Sequence, residues 1–301
     1  MGFKAFLTDY LFFFYLAAAL IGFLVHDLSS LFESWIPWML FLIMYFSTLK
    51  IDAKTFIATL VSLKSQAIML IIYFIAFPLA AYFSSLAIFG SSSVLVAGTV
   101  FLFTLPAGIT NVLYTNLFRG DSSFTLSALI TTSLLSPLAT PLAFYLLTKN
   151  IIEFSFLELF LKIILIVIVP FLLAVLTQKT PFYSQLKKDS DFFASFLYIM
   201  INFAAAGVIY NSGILQSNSL LALIIFLIGA FFSSFFLVYY VAKRAVNREY
   251  AISLALLTTR RNTTLGMGIA SGTLGPVFVT ISLMYQYVHD ISSLFLRRFF
   301  R

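Results

Sequence analysis

Apolar residues fill this chain in ten long blocks, roughly 9–25, 35–49, 66–87, 94–118, 122–147, 155–178, 191–211, 219–243, 250–271 and 274–296. A helix needs about 20 mostly apolar residues to cross the roughly 30 Å hydrocarbon core of a bilayer. Blocks of this length in succession predict ten transmembrane helices. The links between them are short and polar: His26-Asp27-Leu28-Ser29-Ser30, Gly90-Ser91-Ser92-Ser93, Arg119-Gly120-Asp121 and Asn211-Ser212-Gly213. Links this short force neighbouring helices to run antiparallel. The expected fold class is an all-α polytopic membrane protein.

Composition agrees. The 301 residues are 61% apolar and 10% charged, with a mean hydropathy of +1.05. A soluble domain is about 45–50% apolar and about 25% charged. Ten helices and their links use the whole length, which leaves no stretch for a soluble nucleotide-binding or receptor domain. The absence of cysteine excludes disulfides, thiolate metal sites and cysteine nucleophiles. His26 and His289 lie too far apart in sequence to suggest a metal site, so neither metal nor cofactor is expected. Lys4 ahead of the first block resembles a secretory leader. However, Asp9 opens that block and no small-x-small cleavage site follows, so it reads as a span.

The net charge of +7 carries its meaning in its placement and does not point to nucleic acid. Fourteen basic residues fall in alternate links and at the ends: Lys4; Lys50, Lys54 and Lys64; Arg119; Lys179, Lys187 and Lys188; Lys243, Arg244 and Arg248; Arg297, Arg298 and Arg301. Lys149 stands alone on the opposite side. By the positive-inside rule both termini are cytoplasmic and the span count is even, a check independent of hydropathy. A multi-pass protein of the inner, cytoplasmic membrane is expected.

Five spans per half is an odd number. If residues 1–149 and 155–301 share a fold, the second copy is inverted in the membrane, a recurring transporter plan. Each half has a polar interruption in its fourth block, Thr104-Leu105-Pro106-Ala107-Gly108-Ile109-Thr110-Asn111 and Thr258-Thr259-Arg260-Arg261-Asn262-Thr263-Thr264. Pro106 removes a backbone donor and Gly108 is a weak helix former, so a break is expected there. Broken backbone at membrane depth must be buried in protein or line a wet cavity. Breaks in oppositely directed segments aim two half-helix N-termini at the bilayer centre, with free N–H groups and partial positive charge. Such a site suits an anion. Pro78, Pro137, Pro141 and Pro170 read as plain kinks.

Arg260 and Arg261 lie about 12 residues, or about 18 Å of helix, beyond Arg248 and Glu249. An arginine at helix centre costs ~2.5–3.5 kcal/mol. Two readings stay open: an ion pair, for instance with Asp290, or a role in substrate or coupling chemistry. Glu158 and Lys162, at i, i+4 near the outer end of the sixth block, read as a pair that snorkels.

Several stretches carry a resemblance. Thr110-Asn111-Val112, Arg119-Gly120-Asp121, Leu126-Ser127 and the run from Thr132 to Leu142 resemble the bile acid:sodium symporter family. In the second half Arg261-Asn262, Leu274-Gly275-Pro276 and His289-Asp290-Ile291-Ser292 are similar to the family's Gln-Asn, Phe-Gly-Pro and Trp-His-Asn-x-Ser patterns. The resemblance implies a panel domain from helices 1, 2, 6 and 7 and a core domain from helices 3–5 and 8–10. It implies broken helices 4 and 9 crossing in the core, sodium bound behind the crossing, and an organic anion between panel and core.

Departures from the family pattern fall on the sodium ligands. Thr110 and Asn111 keep the family's Ser-Asn pair and Thr125 keeps one helix 5 hydroxyl. The second hydroxyl falls on Leu129, the helix 9 carboxylate on Leu257, the helix 9 Gln on Arg261 and the helix 3 Gln near Tyr73. Leucine offers no ligand, and a sodium site wants several hard oxygens. A fixed cation 4 Å away costs a sodium ion about 4 kcal/mol at an effective dielectric of 20. The Arg261 guanidinium is expected to brace the remaining oxygens in place of the ion.

The expected function is secondary transport of a small or amphipathic organic anion by alternating access, without sodium at the usual helix 9 site. Sodium-coupled symport and an auxin-efflux-type carrier are the alternatives. An arsenite exporter is disfavoured by the missing cysteine. An intramembrane enzyme would need a nucleophile–base pair, a metal triad or paired carboxylates, and none is apparent. A sensor without transport would share all these features; measurable flux separates the two. The expected substrate residues are Gly108, Thr110, Asn111, Arg261, Asn262, Thr263 and His289. The expected partners are the lipid bilayer and the anion, with a monomer sufficient.

Overall fold

A computed structural model describes residues 10–50, 63–91 and 93–300. Lys4, Asp9, Lys54, Ser92 and Arg301, used above for links and topology, lie outside the described residues. Helix occupies all ten apolar blocks. In chain order these are α1 (Leu11–Leu24), α2 (Ile36–Thr48), α3 (Leu63–Ile71, a π turn Ile72–Ala76, then Phe77–Phe89), α4a (Val94–Thr104) and α4b (Asn111–Leu117), and α5 (Ser122–Thr148). The second half has α6 (Phe156–Ile163, a π turn Ile164–Ile168, then Val169–Thr177), α7 (Tyr183–Asn211), α8 (Leu220–Ala242), α9a (Arg248–Thr259) and α9b (Thr263–Ala270), and α10 (Pro276–Phe299). Among the described residues six helical runs are long and apolar enough to cross a membrane: His26–Thr48, Gln66–Phe89, Ser122–Thr148, Phe156–Thr177, Tyr183–Asn211 and Leu220–Ala242. Leu11–Leu24 and Val94–Thr104 are apolar but shorter. The chain is a polytopic α-helical membrane protein.

Two boundaries differ from the hydropathy reading. His26–Ser30, taken as a link, is itself a helical turn. The seventh helix begins at Tyr183 rather than near residue 191, because its first turns carry Lys187, Lys188, Asp189 and Asp191. Hydropathy detects the part of a helix that sits in hydrocarbon, not the charged turns that extend it. The prolines also differ among themselves. Pro78 and Pro170 each stand two residues past the end of a π turn, whereas Pro137 and Pro141 lie inside the unbroken α5. A π turn absorbs the hydrogen bond that proline cannot donate and keeps the helix continuous.

The chain forms two compact units. One comprises residues 1–53, 157–217 and 264–283, the other residues 54–156, 218–263 and 284–301. In the first, α7 packs along α1 and α2, and α2 also carries the last part of α6. In the second, α4a packs between α3 and α5, and α9a packs on α8 and α5. Phe231, Phe235 and Tyr239 of α8 extend an aromatic row to Tyr285 and Phe300 of the C-terminal segment. Large apolar side chains such as Phe83, Leu146, Leu221 and Leu237 are exposed, a surface that suits hydrocarbon and not water.

Candidate functional site: the crossing of two broken helices

Within the second unit α4a ends at Thr104, and its continuation starts only at Asn111; α9a ends at Thr259, and Thr263 resumes. The two breaks run antiparallel against each other, with Ala107 bridged to Arg261. Gly108 N–H donates to the Arg260 carbonyl at 3.0 Å and Asn262 N–H to the Pro106 carbonyl at 2.8 Å. Gly108 is required by this approach, since a Cβ there would lie 2.9 Å from the Arg261 carbonyl oxygen. Backbone groups freed by breaking one helix are thus satisfied by the other, which is what a break away from water demands.

Side chains complete the accounting. Thr140 Oγ1 donates to the Thr104 carbonyl at 2.7 Å, and Tyr285 OH to the Thr259 carbonyl at 2.8 Å. Asn111 Nδ2 donates to both the Gly108 carbonyl (2.9 Å) and the Arg260 carbonyl (2.8 Å), tying the two breaks together. Ala107 N–H donates to Thr132 Oγ1 at 3.3 Å. Tyr73 OH donates to the Leu105 carbonyl at 3.0 Å. Thr132, Thr140 and Tyr285 were not singled out from the sequence as site residues. Thr132 and Thr140 stood inside the run that carries the family resemblance, but hydroxyls are common in membrane helices and nothing local marked these, or Tyr285, as reaching the breaks.

The two arginines divide their roles. Arg260 is fully buried and donates through Nη1 to the His289 carbonyl (2.7 Å) and Ser293 Oγ (2.6 Å). Through Nη2 it reaches Asp290 Oδ1 (2.8 Å) and Thr110 Oγ1 (3.4 Å). Its Cζ sits 3.5 Å from the centroid of the Tyr114 ring. Asp290 Oδ1 also accepts from Tyr114 OH at 3.4 Å and lies 2.9 Å from His289 Nδ1. For Arg260 the ion-pair reading holds, and His289 is engaged with the same carboxylate.

Arg261 differs. It is 1% exposed, with Cζ 3.7 Å from the Tyr73 ring centroid and 5.5–5.6 Å from those of Phe103 and Phe77. Nη1 donates to the carbonyls of Leu105 (3.3 Å) and Tyr73 (3.5 Å). The Tyr73 carbonyl is available because the π turn sends Phe77 N–H to Ile72, and Pro78 has no N–H to give. Among the described residues Nε and Nη2 of Arg261 have no acceptor, and no carboxylate pairs with it. The expectation that Arg261 braces the oxygens of Thr110, Asn111 and Thr125 needs correction. It is Arg260 that reaches Thr110, while Arg261 turns to the Tyr73–Leu105 side.

The remaining predicted positions are accounted for as follows. Asn111 is buried, and its Oδ1 accepts no hydrogen bond among the described residues. Thr125 Oγ1 donates to the Asp121 carbonyl at 2.9 Å and lies 3.0 Å from Thr115 Oγ1. Leu129 and Leu257 are buried apolar residues. Asn262 and Thr263 are buried, and Thr263 Oγ1 donates to Gln286 Oε1 at 3.5 Å. Gln66, two turns before Tyr73, donates to Ser127 Oγ at 2.5 Å. The Arg119-Gly120-Asp121 link anchors α9a. Asp121 N–H donates to the Glu249 carbonyl at 3.2 Å and Ser253 Oγ to the Asp121 carbonyl at 3.0 Å. Asp121 also caps α5 by accepting from Phe124 N–H at 2.9 Å.

A helical membrane protein whose broken helices satisfy each other backbone to backbone, around buried cations, has the build of a membrane transporter. Residues 5–288 match the profile of the SBF-like CPA transporter family, and the chain belongs to that family. It is similar to "Uncharacterized protein YbaS" of Bacillus subtilis (strain 168), with 23% identity over 281 residues that cover 90% of this chain and 91% of the relative. The resemblance to bile acid:sodium symporters therefore holds at the level of this wider transporter family.

Proposed function

We propose that the protein is a secondary transporter of a small or amphipathic organic carboxylate, working by alternating access without sodium at the helix crossing. The carrying observation is Arg261, a buried guanidinium whose Nε and Nη2 lack acceptors and which has no carboxylate beside it among the described residues. A buried charge is retained only where it is paired and hydrogen-bonded for at least part of a working cycle. A carboxylate is the matching partner, since the guanidinium fork fits it in two parallel hydrogen bonds.

The donor set argues against a sodium ion. Leu129 and Leu257 supply no oxygen, and Thr125 Oγ1 is already hydrogen-bonded to backbone. The Arg260 guanidinium lies 3.4 Å from Thr110 Oγ1, a fixed positive charge where the ion would sit. No step is therefore routed through sodium. Arg260, paired with Asp290, takes the place beside Thr110 that an ion would use, and Arg261 keeps its charge for the substrate.

The wider architecture in this reading is ten spans in two inverted five-helix repeats, residues 1–149 and 155–301, with both termini in the cytoplasm of the host and the chain in its inner membrane. The panel helices are 1, 2, 6 and 7 and the core helices are 3–5 and 8–10. Support comes from the fourteen-to-one split of basic residues and from two breaks about 150 residues apart. The sodium-coupled alternative has one observation in its favour, the buried Asn111 Oδ1 without a donor.

A thermal-shift screen of the purified protein against organic carboxylates, in sodium and in choline salts, tests the reading. A ligand should raise the melting temperature equally in both salts, because binding to the folded state stabilises it. Substrate uptake into proteoliposomes should likewise not change when potassium or choline replaces sodium. A steep, saturable rise with sodium would refute the uncoupled mechanism and favour the alternative.

A further inference from the structure

At the end of α9a away from the crossing, basic residues gather at three helix ends of the second unit. Lys243 and Arg244 follow α8, Arg248 opens α9a, and Arg297 and Arg298 lie in the last turn of α10. All five are exposed. Aromatic contacts hold these ends together. Lys243 Nζ lies 5.7 Å from the Tyr239 ring centroid, the Tyr239 and Phe300 centroids are 5.2 Å apart, and Arg248 Cζ is 6.0 Å from the Phe300 centroid. Phe299, next to Arg298, packs edge-on against Phe236 of α8 at 5.3 Å. Among the described residues no ion pair engages any of the five cations. Of the carboxylates on these segments, Asp121 caps α5 and Glu249 is exposed. Topology requires basic residues on one side of the membrane. It does not require five of them on helix ends that pack together, where like charges repel. Lys243, Arg297 and Arg298 suit the negative ends of their helices, but Arg248 stands at the positive end of α9a.

We propose that this face binds an anionic phospholipid with two phosphates on one headgroup, of the cardiolipin class, with one phosphate at Lys243 and Arg244 and the other at Arg297 and Arg298. Three observations lead to that ligand. The cations include two adjacent pairs on two helix ends, each pair enough for one phosphate, and Arg248 adds a fifth charge. A ligand with a phosphate for each pair neutralises both at once. Tyr240 is exposed at the same helix end, and tyrosines mark headgroup depth. Leu237 of α8 is 65% exposed, and Leu294 and Phe295 of α10 are each 63% exposed, all within two turns of the cations. That apolar wall is where acyl chains lie, and a soluble diphosphate gains nothing from it. The site is separate from the crossing and rests on neither the transported substrate nor its coupling.

The test uses the delipidated, detergent-purified full chain. Cardiolipin, phosphatidylglycerol, phosphatidylethanolamine and free pyrophosphate are titrated in turn, and bound ligand is read by native mass spectrometry. Cardiolipin should bind most tightly. Each Lys or Arg beside a phosphate is worth about fivefold in affinity. The double variant Lys243→Gln with Arg244→Gln should therefore weaken cardiolipin about thirtyfold, to the level of phosphatidylglycerol, and so should Arg297→Gln with Arg298→Gln. All four side chains are exposed, so the fold should survive, with an unchanged melting temperature as the check. Lys187→Gln with Lys188→Gln removes an equally basic, exposed pair from the first unit and should leave cardiolipin binding unchanged. Phosphatidylglycerol or pyrophosphate binding the wild type as tightly as cardiolipin would overturn the proposal. So would a loss in fewer than both of the double variants at the site, or an equal loss in the Lys187 and Lys188 variant.

Discussion

Two adjacent arginines occupy opposite electrostatic situations. Arg260 has a carboxylate 2.8 Å away and an aromatic face under it. Breaking a buried pair from one side costs ~3–5 kcal/mol, because the partner charge stays behind. Asp290→Asn should therefore lower the melting temperature sharply in detergent. The double variant Arg260→Met with Asp290→Leu should recover most of that loss, since no charge is left unpaired. Arg261→Gln should behave differently: it removes a charge without a carboxylate partner, so stability should fall little or rise while carboxylate binding disappears. Comparable destabilisation by Arg261→Gln and Asp290→Asn would show that Arg261 is a structural residue. The sequence placed both arginines at the break and, through the resemblance, gave Arg261 the ion's role; it did not show which of them is paired. Their roles depend on which way each side chain turns, and that is set by Tyr73 on one side and Asp290 on the other.

At the scale of the element, the break in the first half was legible and the reason for its residues only partly so. Pro106 and Gly108 read as helix breakers, whereas the structure shows Gly108 as the point where two backbones touch. Gly108→Ala should cost ~1–3 kcal/mol as an overpacking change. It should also loosen the bridge between Ala107 and Arg261. Faster amide hydrogen exchange at residues 108 and 262 would report this, and unchanged protection there would contradict the close approach. The break in the second half has no proline or glycine in it. It exists because its backbone groups are satisfied by Pro106, Gly108 and Asn111, partners about 150 residues earlier that no local pattern reveals. Likewise Pro78 looked like a plain kink. Only the structure shows that it releases the Tyr73 carbonyl that Arg261 takes up.

For the molecule as a whole the prediction concerns topology. The placement of basic residues puts both termini and the Lys243-Arg244 link on one side, with Lys149 on the other. The chain has no cysteine of its own, so single cysteines introduced at Lys149 and Lys243 should label from opposite sides of a sealed membrane with an impermeant reagent. A reporter fused after Arg301 should be active only in its cytoplasmic form. Labelling of both cysteines from one side would overturn the ten-span reading.

The sequence by itself determined the environment, the helices and the position of the polar interruptions. These follow from local causes: apolar runs long enough for hydrocarbon, prolines without donors, and charges that are costly to bury. The tertiary structure alone decided which arginine is paired, what Tyr73 and Asn111 hold, and that Lys162 caps α9b. Each of these depends on groups far apart in sequence meeting at hydrogen-bond distance, and the direction of a side chain toward a distant partner is not encoded in the run of residues around it.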